Sequence, residues 1–410
     1  MSAPPAPAHS RSGALRVLIA PDSFKGSADA TEVAAALAEG WRRERGDDEL
    51  IVLPQADGGE GTAEAISAAV PGAVWYDAGP VPGPDGAPVA GRWLQLPDGT
   101  AVVELAQMCG LPLLRSSDPT GATTRGLGDV VRAAIEAGAR AVCITLGGSA
   151  STDGGAGALT GLGARLLDRH GQPVPAGGTA LAQLHRVDVR DLVPPPPDGV
   201  ELLVDTRAVL TGPSGAAHVF GPQKGATPAQ VAELDAALTH YARVLGTVLH
   251  ADPRQPGSGA AGGSGFGLAA WGGCIVDGAT RIADLTGLAT ILPTCDVVVT
   301  GEGCYDRTSA TGKLVGALLE RADRHGVASV VVAGRLDAAP PGLGVDLSRL
   351  AGSGRAAMDD PTRWLRRAGT DAARRTSTGR KAANTPQPAS DTPAEPPALA
   401  VRTTHAQRDQ

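Results

Sequence analysis

At 410 residues the chain has room for two domains, since single domains usually run to roughly 100–200 residues. Apolar residues make up 42% and the mean hydropathy is −0.03, which supports a sizeable core and excludes wholesale disorder. A net charge of −7 argues against nonspecific nucleic-acid binding through a basic face, while anionic small ligands answer to local charge.

Residues 1–13 are rich in Pro, Ala and Ser and read as disordered, without the apolar stretch of a signal peptide. No apolar run approaches the roughly 18 residues of a membrane-spanning helix, so the expectation is a soluble, cytoplasmic protein. Five scattered cysteines with no C-x-x-C pair fit reduced thiols better than a disulfide framework or a zinc site. At the other end, residues 376–410 lack aromatics and also read as disordered.

Between these ends a unit recurs: a short apolar strand, a Gly/Asp/Ser loop, then a helix. Leu15 to Ala20 is the first strand, and the helix after it opens at Asp29, with Glu32 completing a capping box. That helix buries Val33, Leu37 and Trp41 at helical spacing. Ile51 to Leu53 precedes Asp57-Gly58-Gly59-Glu60-Gly61 and a helix near 62–69. Residues 73–105 differ, because Pro-Gly-Pro-Asp-Gly and Pro-Asp-Gly turns divide three strands into a β-meander. The first pattern returns at Val142 to Leu146, at Asp296 to Thr300 before Gly301-Glu302-Gly303, and at Ala328 to Ala333 before Gly334.

This alternation predicts an α/β protein: a Rossmann-like parallel-sheet domain with a second, inserted α/β domain. The expected boundaries are 14–76 plus about 275–375 for the first, with about 119–165 as a further segment that this first domain can include, and about 77–270 for the insert. Loops after parallel strands gather at the carboxyl edge of a sheet, where ligands bind.

Only four of the 36 basic residues are lysine, and three of them stand beside glycine: Lys25 in S-F-K-G, Lys224 in P-Q-K-G and Lys313 in T-G-K. Rare residues at glycine-rich turns suggest positions where arginine would not serve. The loop around Asp22, Ser23 and Lys25 precedes a helix N-terminus, a setting that favours an anion. Gly147, Gly148 and Ser149 open a long glycine/hydroxyl loop in which the backbone can approach phosphate oxygens, and Asp153 within it offers a base or a metal ligand. Gly263 and Gly265 lie in a second such loop, a phosphate cradle or a linker. Glu302 and Asp306, ahead of Lys313, suit Mg²⁺ beside a phosphate-binding ammonium, although the glycine spacing is not that of a P-loop. Gln223 and Lys224 on a Pro/Gly turn can grip a carboxylate or a phosphate. The eight histidines form no cluster, and neither H-E-x-x-H nor G-x-S-x-G occurs.

In order and spacing, the blocks A-P-D-S-F-K-G-S (20–27), A-D-G-G-E-G-T (56–62), L-G-G-S-A (146–150), D-G-G-A-G (153–157), F-G-P-Q-K-G-A (220–226) and G-E-G (301–303) resemble the bacterial glycerate kinase family of the first type. The resemblance runs from about Val17 to Arg374. It implies transfer of the ATP γ-phosphoryl group to a hydroxyl of D-glycerate with Mg²⁺, the usual product being 2-phosphoglycerate, with 3-phosphoglycerate left open. It also implies an active site between two domains. On this reading Lys25, Asp57, Asp153, Asp205 and Lys313 are catalytic. Asp22, Ser23, Gly58, Gly59, Glu60, Gly147, Gly148, Ser149, Gln223, Lys224, Gly263 and Gly265 bind substrate or phosphate, and Glu302 and Asp306 bind metal. The chain departs from the family pattern at Thr206 to Leu210, where an asparagine and a proline are missing, and at Cys304 and Thr308. These changes keep open a degenerate homologue that senses a hydroxy acid, or a kinase for another small hydroxy acid. A nucleotide-dependent oxidoreductase is the remaining alternative. Partners beyond ATP and glycerate are not expected, and the assembly is a monomer or a homodimer.

Overall fold

In this computed structural model, residues 13–309 and 314–383 are described. In chain order the first elements are β1 (Arg16–Ile19), α1 (Ala30–Glu44), β2 (Glu49–Val52), α2 (Thr62–Ala69), β3 (Val74–Pro82), β4 (Pro88–Gln95) and β5 (Thr100–Glu104). Next come α3 (Leu105–Cys109), α4 (Arg125–Glu136), β6 (Ala141–Thr145), α5 (Ala156–Gly161), β7 (Arg165–Leu167), β8 (Arg186–Asp188) and β9 (Val200–Val204). Then follow α6 (Ala216–Phe220), α7 (Pro228–Leu245), α8 (Ala260–Trp271), β10 (Gly273–Asp277), α9 (Gly278–Leu285) and α10 (Leu288–Ile291). The last are β11 (Val297–Tyr305), α11 (Leu314–Arg324), β12 (Ala328–Leu336), β13 (Leu343–Asp346), α12 (Leu347–Ala351), α13 (Gly354–Asp359) and α14 (Pro361–Ala383).

Two sheets organise these elements. A five-stranded, wholly parallel sheet has the order β13-β12-β11-β1-β2. A six-stranded sheet has the order β10-β9-β6-β5-β4-β3, parallel from β10 to β5 and antiparallel through the β5-β4-β3 meander. The fold is thus mixed α/β, with an additional two-stranded β7-β8 ribbon. The segment 119–165 contributes β6 to the six-stranded sheet, and β3 and β10 join that sheet as well.

Local chemistry accounts for the elements that carry the site. Asp29 caps α1 with the full reciprocal box, its side chain accepting from Glu32 N while Glu32 accepts from Asp29 N. Val33, Leu37 and Trp41 are buried on its inner face and pack with Leu365, Ala368 and Ala372 of α14 in one core cluster. The six-stranded sheet has its own, larger core around Leu105, Leu127, Ile144, Tyr241 and Phe266.

Three expectations are corrected. Gly301-Glu302-Gly303 does not leave the strand as a loop: β11 continues to Tyr305 because β12 pairs with it from Val297 to Tyr305. A Cβ at Gly301 would lie 1.9 Å from the Val332 carbonyl oxygen, so this glycine allows close strand packing. The Gly257–Gly267 stretch is largely helix α8, kinked by positive φ at Ala261, Gly262 and Gly263. Finally, α14 runs to Ala383, past the residue 376 at which disorder is expected; residues 1–12 and 384–410 lie outside the described residues.

Candidate active site

The carboxyl ends of both sheets face a common crevice made of two joined chambers of about 690 Å³ and 590 Å³, each in the size range of small-molecule sites. Ser23, Lys25, Ser27, Asp57 and Asp205 line both. The larger chamber adds Gly59, Glu60, Gly147, Gly148, Ser149, Gln223 and Lys224; the smaller adds Asp22, Asp277 and Glu302.

After β1 the chain is pinned to the neighbouring strand by Asp22 N donating to Gly301 O at 2.9 Å. It then makes a tight turn, in which Phe24 N donates to Ala28 O and Phe24 is buried. Buried Phe24 anchors the turn and leaves Lys25 exposed at its tip. The Asp57 loop is similarly fixed: Gly147 N donates to Gly58 O at 3.0 Å, and Asp57 Oδ1 accepts from Gly59 N at 3.0 Å. A Cβ at Gly147 would approach Gly59 Cα to 2.3 Å, so glycine here brings the two loops together. Gly58 itself takes the left-handed φ of +95° required by the turn.

The acidic side chains repel one another. Burial, then Asp57, pushes the Asp22 carboxyl up to about 7, with Glu302 adding to the rise; the Ser23 N–H and Lys25 oppose it. Asp205 is exposed at the crevice wall, yet partial desolvation there, followed by Asp57, raises its carboxyl too. Among the described residues, five carboxylates thus line the smaller chamber together with the ammonium of Lys25. Asp277 among them also caps α9, accepting from Thr280 N.

Lys224 is the opposite case, a cation drawn inside. Its Nζ donates to Ser151 O at 2.5 Å, and burial pushes its ammonium down to about 8 while Asp153 partly restores it. Ser149 Oγ lies 3.2 Å from Ser151 Oγ, placing hydroxyls beside the same carbonyl.

Other expected site residues do different work. Asp153 is buried and accepts from Thr124 N, Thr124 Oγ1, Gly155 N and Gly157 N, which joins α4 to α5 and leaves it outside the chamber walls. Gly263 and Gly265 pack against backbone instead of lining a chamber: their Cβ positions fall 2.9 Å from Gly154 Cα and 2.3 Å from Gly257 O. Asp306 lines neither chamber and closes a turn, Oδ1 accepting from Thr308 N and Ser309 N. Lys313 lies outside the described residues. Two acids escaped the sequence reading. Asp277 had no motif around it, whereas Glu104 left a readable signal, a charge ending the apolar strand T-A-V-V-E. Glu104 is buried and accepts from Gly61 N and Ala63 N, holding the start of α2 beneath the Asp57 loop.

The glycerate kinase family model matches residues 17–377. The chain belongs to the glycerate kinase family. It is therefore an enzyme of the phosphotransferase class. The chain is 40% identical to the glycerate 2-kinase of Escherichia coli K12 over 331 residues, which cover 78% of this chain and 86% of the relative. It is 38% identical to the glycerate kinase of Bacillus subtilis 168, with 78% and 85% covered. A solved structure assigned as glycerate kinase 2 from Salmonella typhimurium LT2 superposes with a TM-score of 0.75 at 34% identity, covering 90% of this chain and all of that one. Family membership favours phosphotransfer over the oxidoreductase alternative.

Does the acidic cluster suit a magnesium ion? Among the described residues no three His, Cys, Asp or Glu side chains are arranged to hold a metal alone. Mg²⁺, however, is usually held by one or two carboxylates together with waters and substrate phosphates, not by an all-protein cage. Carboxylates raised by burial and then by their neighbour Asp57, as at Asp22 and Asp205, fit that kind of site.

Proposed function

We propose that the protein transfers the γ-phosphoryl group of ATP to the 2-hydroxyl of D-glycerate, giving 2-phosphoglycerate and ADP, in the cytoplasm. The carrying observation is that two ligand-sized chambers meet at Lys25, Asp57 and Asp205. Donor and acceptor can therefore approach from opposite sides at one charged point, and phosphoryl transfer requires chiefly such positioning and charge neutralisation. The name of the E. coli relative supports the 2-position, and five free thiols suit a reducing compartment.

In this reading the glycerate carboxylate pairs with Lys224, aided by Gln223 and Ser149 on the larger chamber's wall. Lys25 neutralises phosphate charge at the junction. The acceptor hydroxyl oxygen bonds to the γ-phosphorus as the bond from phosphorus to the β,γ-bridging oxygen breaks, and the electron pair leaves with ADP. Asp205 takes the hydroxyl proton: it lines both chambers, and its raised carboxyl makes it a stronger base than an ordinary aspartate. Asp22, Asp57 and Glu302 would hold Mg²⁺, which supplies neutralisation of the phosphate charge when bound.

The test is a reaction of purified protein with ATP, Mg²⁺ and D-glycerate in the presence of enolase. ATP loss that requires glycerate, with direct formation of phosphoenolpyruvate, is the expected result. Glycerate-dependent ATP loss without phosphoenolpyruvate would overturn the 2-position, and no turnover at millimolar glycerate would overturn the activity.

A further inference from the structure

The chambers differ in chemistry and in their place relative to the sheets, and this difference divides the reactants. In the five-stranded sheet, β1 leads outward to β2 on one side, while β11 leads to β12 and β13 on the other. The crevice outside the carboxyl ends of β1 and β11 is therefore the topological switch point, where open parallel sheets bind their ligands. The smaller chamber lies there, between Asp22 and Ser23 after β1 and Glu302 and Gly303 near the end of β11.

Its wall is of two kinds. Lys25 and the carboxylates supply its charge; the rest of the wall is mostly apolar, with Val315, Leu347 and Ala357 buried and Met358 exposed. Gly334 of β12 adds a wall position with no side chain. An apolar slot together with charged groups matches a ligand with a flat aromatic base at one end and a polyphosphate at the other. The larger chamber also has apolar wall residues, among them Leu111, Leu146 and Phe220. What it adds is Lys224, Gln223, Ser149 and Glu60, polar groups suited to a small hydroxy acid.

We infer that the nucleotide's base and ribose occupy the smaller chamber, against Leu347, Ala357 and Met358, with its phosphates directed past Lys25 toward a hydroxy acid held in the larger chamber. This assignment rests on the phosphotransfer reading above. It requires that changes in the apolar slot weaken nucleotide binding without touching acceptor binding.

Met358→Asp places a carboxylate in the slot at a position 61% exposed, where the fold tolerates it. Ala279→Trp fills the same chamber from α9 and serves as an independent second variant. Binding of ADP with Mg²⁺ is measured by isothermal titration calorimetry, without turnover, alongside the glycerate KM of each variant. The expected result is an ADP Kd raised about tenfold or more with glycerate KM changed by less than about twofold. Gln223→Ala should give the reverse. Wild-type turnover combined with an unchanged ADP Kd in both slot variants would overturn the assignment and leave the phosphotransfer reading intact. Absence of wild-type turnover would remove that reading and the assignment with it.

Discussion

Lys224 and Asp205 are opposite electrostatic compromises, and each makes a distinct prediction. Lys224 is a buried ammonium that donates to a neutral carbonyl, that of Ser151, and burial draws it down to about 8. A carboxylate arriving beside it adds a direct counter-charge to the partial one from Asp153, so Lys224→Met should raise the glycerate KM about tenfold to a hundredfold, with a smaller change in kcat. In the wild type the ammonium loses its proton as pH rises through about 8, so glycerate KM should climb above that pH. That rise should be missing in Lys224→Met, and a parallel alkaline rise in both proteins would remove Lys224 from acceptor binding. Asp205→Asn keeps the shape of the carboxylate but cannot take a proton. Loss of a general base usually costs about 10²- to 10⁴-fold, so kcat should fall in that range while both KM values hold. Steady-state kinetics with each substrate varied in turn check both variants.

At the scale of elements, the site depends on how loops are tied at strand ends, and Glu104 is the tie that no motif marked. Its two oxygens accept separately from Gly61 N and Ala63 N at 2.9 Å, so a carboxylate fits where an amide would set an N–H against an N–H. Glu104→Gln should therefore cost about 1–3 kcal/mol, measured by denaturant unfolding. Burial also pushes the Glu104 carboxyl up to about 7, above its ordinary 4.5. A group raised on folding contributes stability that is full below its unfolded pKa and is lost as pH rises through the folded one. Stability should thus decline between about pH 4.5 and 7 from this group, and the decline should flatten in Glu104→Gln. The strand-loop-helix units around Asp22 and Asp57 were legible because apolar runs, glycines and caps all recur in the right order. The glycine-rich stretch at 257–267 was not, since a glycine that admits a phosphate and one that admits a neighbouring backbone look identical in sequence. Gly265 belongs to the second kind, with Gly257 O where its Cβ would stand. Asp153 misled for a related reason: a carboxylate among glycines reads as a ligand, but here it gathers four protein donors.

On the scale of the whole molecule, the alternation of strands and helices announced two α/β sheets but not which strand joined which. β3 and β10 lie near the expected boundaries at 76 and 275, and only pairing with β4 and β9 assigns them to the six-stranded sheet. The end of α14 was also invisible, because from residue 376 on its sequence, free of aromatics, resembles a tail. The body of the helix is held by its meeting with α1. That meeting depends on glycines: a Cβ at Gly40 would lie 2.0 Å from Arg366 O, and one at Gly369 would lie 2.3 Å from Leu37 O. Gly40→Ala should therefore force α14 away from α1 and destabilise the five-stranded half by about 1–3 kcal/mol. The core around Trp41 and Leu365 is distinct from the one around Leu127 and Tyr241, so the loss should stay on one side of the crevice. Hydrogen exchange should show faster opening of β1, β11 and β12 in Gly40→Ala, with β5, β6 and β9 still protected at wild-type levels. Equal loss of protection in both sheets would mean that the chain unfolds as one unit and does not divide along its sheets.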